Sequence, residues 1–576
     1  MAKQLVDRVR SARRAFIRQA GAAPVALASG LGVTHAAGAA APERFDATVD
    51  VVVCGGGGGG LPAALFSRWL GNSVMVLEKA ATLGGTSFKA AYWYWVPNNS
   101  AMRAAGQEDS QEDFLRYVAR LTAPRTFNPT LPKFGLGDWE AAMCEAIYQS
   151  AAPAADLLAS KGALPYRHVA AVPDYFYELG GKGRVGRVLF PKDGAASMVD
   201  GGQVATRTLS AAARRDGVVI KTEHRVVGVV RDSHGAVIGV EAQTDDGVVR
   251  VRARKGVIFA TGGFTHDPEL RKNFLDVPVY GGCAVQTNEG DFVRISSTLG
   301  VQLRNMNHAW MCPVSLEKAV TKDGSMSGMF SVAGDSMIFV NKYGQRVVSE
   351  KLSYNEIARK FFEWDGQKAE YPNLVLFSIW DQRSQQHSAS TDYGRLIVPP
   401  SADDRHVIKG QTLEELAAAI ADRLRKYQAV TGGLALADDF LMKLRATIGR
   451  YNDFARSGVD LDFHRGDRMV EKMFNGEVKD EPGRANPTMW PLSAEGPYYA
   501  ALVTGGTLDT KGGPKTNPDG QVLDVSNRPI PGLYGVGNCV ASASGGAYWA
   551  GGATLGPIIA FAYRAAHAIH KEPRRV

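Results

Sequence analysis

Cysteine is scarce in this chain: five among 576 residues, at positions 54, 144, 283, 312 and 539. No two form a Cys-x-x-Cys pair, and no Cys-x-x-Cys-His occurs. That excludes a zinc ribbon, an iron–sulfur ferredoxin run and c-type haem, and no metal site is expected. Nothing in the spacing demands a disulfide. Cys54 and Cys539 read as small buried residues. Lysine and arginine total 66 against 58 acids, a formal charge of +8. Beyond the first eighteen positions the basic residues are scattered, with no aromatic interleaving, so nothing argues for nucleic acid. A long apolar run is also missing. The Ala/Gly/Val stretch from Gly21 to Ala41 is too weakly apolar to read as a span, and no integral membrane segment is expected in the mature protein. No internal repeat or low-complexity linker follows residue 45.

What is abundant is glycine, 64 residues in all. Six stand in a row, Gly55 to Gly60, after Asp50-Val51-Val52-Val53-Cys54. The run contains Gly55-x-Gly57-x-x-Gly60 where a buried parallel strand would end and a helix begin. Leu61 to Leu70 reads as that helix, and Ser73 to Leu77 as a second strand ending at Glu78. This is the logic of a dinucleotide site. Gly55 allows a tight turn, Gly57 lets backbone approach a pyrophosphate, and Gly60 lets helix pack on strand. The helix N-terminus offers free N–H groups to phosphate. Glu78, about 20 residues on, is placed to accept from a ribose hydroxyl.

Hydrophobic residues make up 45% and charged ones 22%, the composition of a folded chain. Its length allows two to four domains. Residues 1–45 read as a signal or tail. Arg13-Arg14-Ala15-Phe16-Ile17-Arg18 resembles a twin-arginine export signal, with small residues such as Ala37-Gly38-Ala39 as cleavage sites. The expectation is periplasmic export of a folded, cofactor-loaded protein; a basic tail on a cytosolic enzyme is the alternative. A cofactor domain is expected from 46 to 302, with a helical stretch from about 111 to 160 and a β-rich section from about 217 to 260. Asp232-Ser233-His234-Gly235 would form a turn of that meander. A second domain is expected from 303 to 493, ending in helical periodicity at Leu413 to Tyr427 and Asp438 to Ala455. Residues 494–576 would return to the cofactor domain.

Four glycine-rich segments decide which dinucleotide. Gly84-Gly85-Thr86 follows Glu78-Lys79. Val257-Ile258-Phe259-Ala260-Thr261-Gly262-Gly263 lies far downstream, and Gly532-Leu533-Tyr534-Gly535-Val536-Gly537-Asn538 and Gly551-Gly552-Ala553-Thr554-Leu555-Gly556 lie near the C-terminus. This set resembles the FAD-containing family of fumarate reductase flavoproteins and 3-ketosteroid dehydrogenases, over most of the chain from residue 46. The resemblance implies an α/β fold: a Rossmann-like FAD-binding domain of the glutathione-reductase type with an inserted α+β catalytic domain. It implies FAD, held by Gly55, Gly57, Gly60, Glu78, Lys79, Gly85, Thr86, Val227, Ala260, Thr261, Gly262, Asn538, Thr554 and Leu555. Thr287-x-x-Gly290-Asp291 resembles the segment that closes the first piece. The last glycine-rich segment would open a helix toward the flavin pyrimidine ring, where reduced flavin carries negative charge.

The same resemblance implies the chemistry. Phe339 to Glu350 resembles the family's hairpin, with its turn at Gly344. Just beyond it, fumarate reductases carry an arginine proton donor and ketosteroid dehydrogenases a tyrosine base; this chain has Tyr354. Pro173 to Glu178 resembles the segment carrying an assisting tyrosine, here Tyr175, with Tyr177 the alternative. Tyr548, four residues before Gly552, matches the pair that holds a 3-keto oxygen as charge develops on it. No arginine lies between Arg528 and Arg564, and the paired histidines of the fumarate branch are absent; Leu502 to Gly506 stands there instead. A dicarboxylate would need such clamps. The implied activity is dehydrogenation of a C–C bond beside a ketone, with hydride to flavin N5 and a proton to tyrosine. The implied partners are a steroid-like ketone and a separate electron acceptor. A flavin reductase of a small unsaturated acid, and an electron-transfer protein without substrate chemistry of its own, are the rival readings. One departure stands out. Where the family shows a small Ser-Gly-Gly-Gly run, this chain reads Ala90-Ala91-Tyr92-Trp93, then Tyr94-Trp95. These rings either pack beneath the cofactor or wall in a smaller pocket.

Overall fold

The valine run forms the strand Ala47–Cys54, with every side chain from Val49 onward buried. A strand buried on both faces suits a parallel sheet, and this one is central. The computed structural model describes residues 44–178, 183–392, 394–476 and 481–575; the arginine pair at 13 and 14 lies outside them. The strands run in the order Gln521–Leu523, Pro529–Gly535, Gly247–Phe259, Ala47–Cys54, Val74–Leu77, Val219–Lys221. All neighbours after the first pair are parallel. The expected meander is present: Arg225–Arg231 and Val237–Thr244 join antiparallel beside Gly247–Phe259, and Asp232 N–H donates to the Ala236 carbonyl across the turn.

Helices Gly60–Trp69, Asp138–Ser160, Gly201–Arg215 and Leu555–His570 cover one face of this sheet. Their contacts are alanine-rich, through Ala63, Ala64, Ala151, Ala155, Ala560 and Ala566. Small side chains let the helix backbones approach closely. The expected helical stretch 111–160 is broken in two, Gln111–Thr122 and Asp138–Ser160. Pro124, Pro129 and Pro132 stand in the interruption, where each removes a backbone donor.

The second sheet is antiparallel. Ala309–Ser315, Tyr498–Thr510, Leu376–Asp381 and Met337–Val340 follow in that order, and Ile408–Gly410 also pairs with Tyr498–Thr510. Helices Leu413–Arg425 and Phe440–Ser457 pack on it through Leu416, Ile420 and Leu424 and through Leu444, Ile448 and Tyr451, steps of three and four residues that mark one helix face. The strand Tyr498–Thr510, beyond the expected boundary at 494, pairs within this antiparallel sheet. One expectation needs correction here. The expected hairpin over Phe339 to Glu350 has its turn, with Gly344 N–H donating to the Asn341 carbonyl, but no second strand. Met337–Val340 pairs with Leu376–Asp381 instead. The side chain of Glu350 takes over the pairing role: it accepts from Phe339 N–H at 3.1 Å and from Arg346 at 2.8 and 2.9 Å.

Candidate active site

The carboxyl ends of the parallel strands open onto one cavity, the usual place for ligands in such sheets. Gly55 and Gly57 line it, with Gly85, Thr86, Ala260, Thr261 and Gly262 around them. Gly60 acts behind the wall: a Cβ there would stand 1.8 Å from the Gly55 carbonyl oxygen, so only glycine lets the helix begin against the strand. Glu78 is pinned at the strand end. Gly56 N–H donates to its Oε2 at 2.7 Å and Ala80 N–H to its Oε1 at 2.9 Å. Each oxygen keeps a lone pair for a hydroxyl. Lys79 lines the cavity and bonds Glu289 at 3.1 Å and Asp291 at 2.7 Å. Thr287 and Asp291 line it as well.

Val227 is not part of this lining. It is the extra residue of a β-bulge, since Val226 pairs with Ala242 and Gly228 with Glu241. The bulge turns its side chain out, 47% exposed, and Val226 lines the cavity in its place. A bulge shifts which residue faces in, and alternation along the sequence does not announce it.

Asp509 is a residue the sequence reading missed. It is fully buried between the two halves of the site and gathers five donors. Gly263 N–H, the Asn288 amide and the Asn538 amide reach its Oδ2 at 3.0 to 3.1 Å. Thr265 Oγ1 and Thr510 N–H reach its Oδ1 at 3.1 and 2.8 Å. Burial pushes its carboxyl above the usual range, and these donors pull the other way. Asn538 is thereby fixed in orientation, and its Oδ1 accepts from Trp310 Nε1 at 3.1 Å.

A second cavity, of about 460 Å³, adjoins the first and shares Thr86, Asp509, Asn538 and Ile558 with it. Tyr175, Tyr354, Tyr548 and Gly552 all line it, as do Thr554 and Leu555 at the start of helix Leu555–His570. The Tyr175 hydroxyl donates to the Tyr354 hydroxyl at 2.7 Å. Thr554 Oγ1 donates to the Tyr548 hydroxyl at 3.3 Å. The three rings pack edge-to-face with centroids 5.3 to 5.6 Å apart. Burial pushes all three phenols above their ordinary ionisation range, and for Tyr175 and Tyr354 the neighbouring phenols push further. Tyr175 is 4% exposed and Tyr177 40%, and of the two it is Tyr175 that lines the cavity. Gly552 has φ of +82°, and a Cβ would stand 2.6 Å from the Trp93 carbonyl. Its N–H donates to no described residue.

The aromatic departure resolves into two roles. Trp93 lines the cavity, its ring 5.7 Å from Phe474 and its Nε1 donating to the Met198 carbonyl at 3.2 Å. Tyr94 and Trp95 form a buried strand beneath, where Trp95 N–H donates to the Gly552 carbonyl at 3.0 Å. Below Tyr175 lies a buried ion cluster that sequence spacing does not reveal. Arg187 bonds Asp109 at 2.6 Å and Asp174 at 2.7 Å, and Trp95 Nε1 donates to Asp174 at 2.7 Å. The Tyr175 N–H donates to the Trp549 carbonyl at 3.2 Å, so this cluster ties the tyrosine segments together. Among the described residues no group of histidine, cysteine or carboxylate side chains is arranged to hold a metal, and no helix is long and apolar enough to cross a membrane.

A glycine-lined dinucleotide cradle beside a tyrosine-lined cavity defines a flavin-dependent oxidoreductase. The chain belongs to the FAD binding domain family, whose model matches residues 50–555. It is 31% identical to 4-oxocyclohexanecarboxylate 2-dehydrogenase of Sinomonas cyclohexanicum, over 91% of this chain and 93% of that one. It is 29% identical to 3-oxosteroid 1-dehydrogenase of Mycobacterium tuberculosis, over 90% and 97%. The crystal structure of 3-ketosteroid delta1-dehydrogenase from Sterolibacterium denitrificans, in complex with 1,4-androstadiene-3,17-dione, matches with a TM-score of 0.76 and 24% identity, over 91% of this chain and 99% of that one. That likeness is one of fold. The protein is an FAD-dependent enzyme acting on CH–CH bonds. The residues present fit FAD: Thr261 Oγ1 is buried with no hydrogen-bond partner, and the first helix presents its N-terminus to the cavity.

Proposed function

We propose that the protein dehydrogenates a cyclic ketone at the carbons next to its carbonyl. The observation that carries this is the buried set of Tyr354, Tyr175 and Tyr548 on one cavity. FAD, when bound, accepts the hydride. Tyr548 and the Gly552 N–H hold the carbonyl oxygen and stabilise the enolate as it develops. Tyr354 takes the proton from the adjacent carbon, and Tyr175 supports the tyrosinate through their shared hydrogen bond. Two hydrogens leave the substrate, one as hydride and one as proton, and a separate acceptor reoxidises the cofactor. A 3-ketosteroid-like ring is the reading the Mycobacterium tuberculosis relative favours. Anaerobic bleaching of the yellow protein by a panel of 3-ketosteroids and monocyclic ketones tests it; a panel that leaves the flavin oxidised, while reduced dye is oxidised by fumarate, would overturn it. Export through the arginine pair belongs to the same proposal. Arg13→Lys with Arg14→Lys should hold the protein in the cytoplasm, and wild-type protein found there uncleaved refutes it.

A further inference from the structure

The second cavity has a charged end that the ketone chemistry does not use. Three cationic side chains line it: Lys89, Lys351 and Arg395. Two of them are committed to the fold. Lys89 Nζ donates to the Gly324 and Met326 carbonyls at 2.9 and 3.0 Å. Lys351 is fully buried, and its Nζ donates to the Val332 and Gly334 carbonyls. Arg395 differs. Its guanidinium makes no hydrogen bond or ion pair with any described residue, although it is half-buried. Asp392 shares the rim, and no ion pair joins the two.

The position of Arg395 is built. Gly394 has φ of +55°, and a Cβ there would stand 2.5 Å from the Gly328 carbonyl oxygen, so the backbone beside Arg395 lies directly on Ser327 and Gly328. Leu396 and Ile397 are buried in a core cluster with Met329 and Val332, and Ser390 N–H donates to the Ile397 carbonyl at 3.0 Å. Ser327 and Ser331 line the same cavity. Between them Phe330 packs on Tyr354, ring centroids 5.2 Å apart. Residues 327–331 therefore touch the proposed base through Phe330 and the backbone beside the unpaired Arg395 through Gly328.

From this we infer that the substrate is an oxo-acid: a cyclic ketone whose ring also bears a carboxylate, with the carboxylate taken by Arg395 and assisted by the serine hydroxyls. The inference rests on the ketone dehydrogenation proposed above. A guanidinium offers two parallel N–H donors that match a carboxylate. Leaving it half-buried without a partner costs free energy that an anionic ligand recovers. The charge fixes which end of the ring enters first, and the ketone then meets Tyr548 and Gly552. A neutral steroid offers Arg395 nothing.

The test uses the flavin-loaded enzyme with 4-oxocyclohexanecarboxylate and its methyl ester, followed by anaerobic flavin bleaching and by turnover with an artificial dye acceptor. The wild type should favour the acid over the ester by at least tenfold in kcat/KM. Arg395→Met should lower that acid-to-ester ratio about 10- to 100-fold, the loss expected of a charge-assisted hydrogen bond, chiefly through KM. Arg395→Lys should recover part of it. An acid-to-ester ratio near one in the wild type overturns the inference, as does a ratio that Arg395→Met leaves unmoved. In either case oxidation of the ester keeps ketone dehydrogenation standing. If acid, ester and ketosteroids all leave the flavin oxidised, both proposals fall together.

Discussion

The Tyr175 and Tyr354 hydroxyls share a 2.7 Å hydrogen bond, although the two residues lie 179 positions apart. Whichever phenol loses its proton keeps a donor from the other. Burial alone makes each a poor acid, so the pair matters more than either ring.

Tyr354→Phe should therefore reduce kcat by about 10²- to 10⁴-fold, the usual loss for a general base, while the protein stays yellow and folded. The pH profile carries the sign. A phenol whose ionisation is pushed up is protonated and inactive as a base near neutrality, so kcat/KM of the wild type should rise through the alkaline range. Tyr354→Phe should lose that rise, and Tyr175→Phe should keep a rise while slowing flavin reduction, since the Tyr175 hydroxyl that bonds Tyr354 is gone. Stopped-flow flavin reduction as a function of pH measures all three; a flat wild-type profile argues against the base.

Glu78→Ala should weaken FAD retention. It removes the acceptor for Gly56 and Ala80 N–H groups as well as the carboxylate proposed to accept from a ribose hydroxyl. Charge-assisted hydrogen bonds are each worth about 1.5–3 kcal/mol, so the Kd for FAD should rise at least tenfold. Release of flavin on gel filtration, quantified by fluorescence, is the check.

Arg187→Leu should destabilise more than any surface charge change. It strands Asp109 and Asp174, both buried, and breaking a buried pair costs about 3–5 kcal/mol. The thermal midpoint should fall by several degrees. Flavin reduction should also slow, because the segment carrying Tyr175 loses its anchor. A variant that melts like the wild type would show the cluster to be dispensable.

Asp335 in the second domain should make stability acid-sensitive. Its burial opposes ionisation, but Arg383 at 2.9 Å and Arg484 at 2.6 Å outweigh it and hold its carboxyl at about 2. A depressed value means the stabilisation is complete above the unfolded carboxyl's range near pH 4 and is lost as pH falls toward 2. About 2 kcal/mol should disappear across that window. Denaturant midpoints at pH 5 and pH 2.5 should differ less in Asp335→Asn than in the wild type.

The sequence made the cofactor cradle legible because its signals are local. Glycine spacing, the valine strand and Glu78 lie within thirty residues, and each carries its own steric or hydrogen-bonding reason. Tyr354, Tyr548 and Gly552 were readable through their flanking motifs. What escaped was whatever depends on distant partners. Asp509 sits in a strand whose sequence gives no hint that five donors converge on it. Arg187 reads as an ordinary surface arginine until Asp109 and Asp174 are brought to it. The outward turn of the Val227 side chain was not legible because one inserted residue reverses which side chain faces inward. The expected second strand after Gly344 failed because a glutamate side chain satisfies the backbone that a neighbouring strand would otherwise pair.

The strand Tyr498–Thr510 begins in the middle of the second domain's sheet and ends with Asp509 between the cofactor and substrate cavities. The two domains are consequently not interchangeable cassettes. A chimera that exchanged residues 303–493 between relatives would sever this strand from its partners at Ala309–Ser315 and Leu376–Asp381, leaving the recipient to seat a foreign sheet on its own spine. Viable splices must carry the strand whole, cutting after residue 510, where the chain has already brought Asp509 to the boundary of the two cavities. Diversification of the ring-binding cavity by recombination is thereby confined to cuts that inherit the spine, and substrate range is free to drift mainly through side chains such as Trp93 that line the cavity without belonging to it.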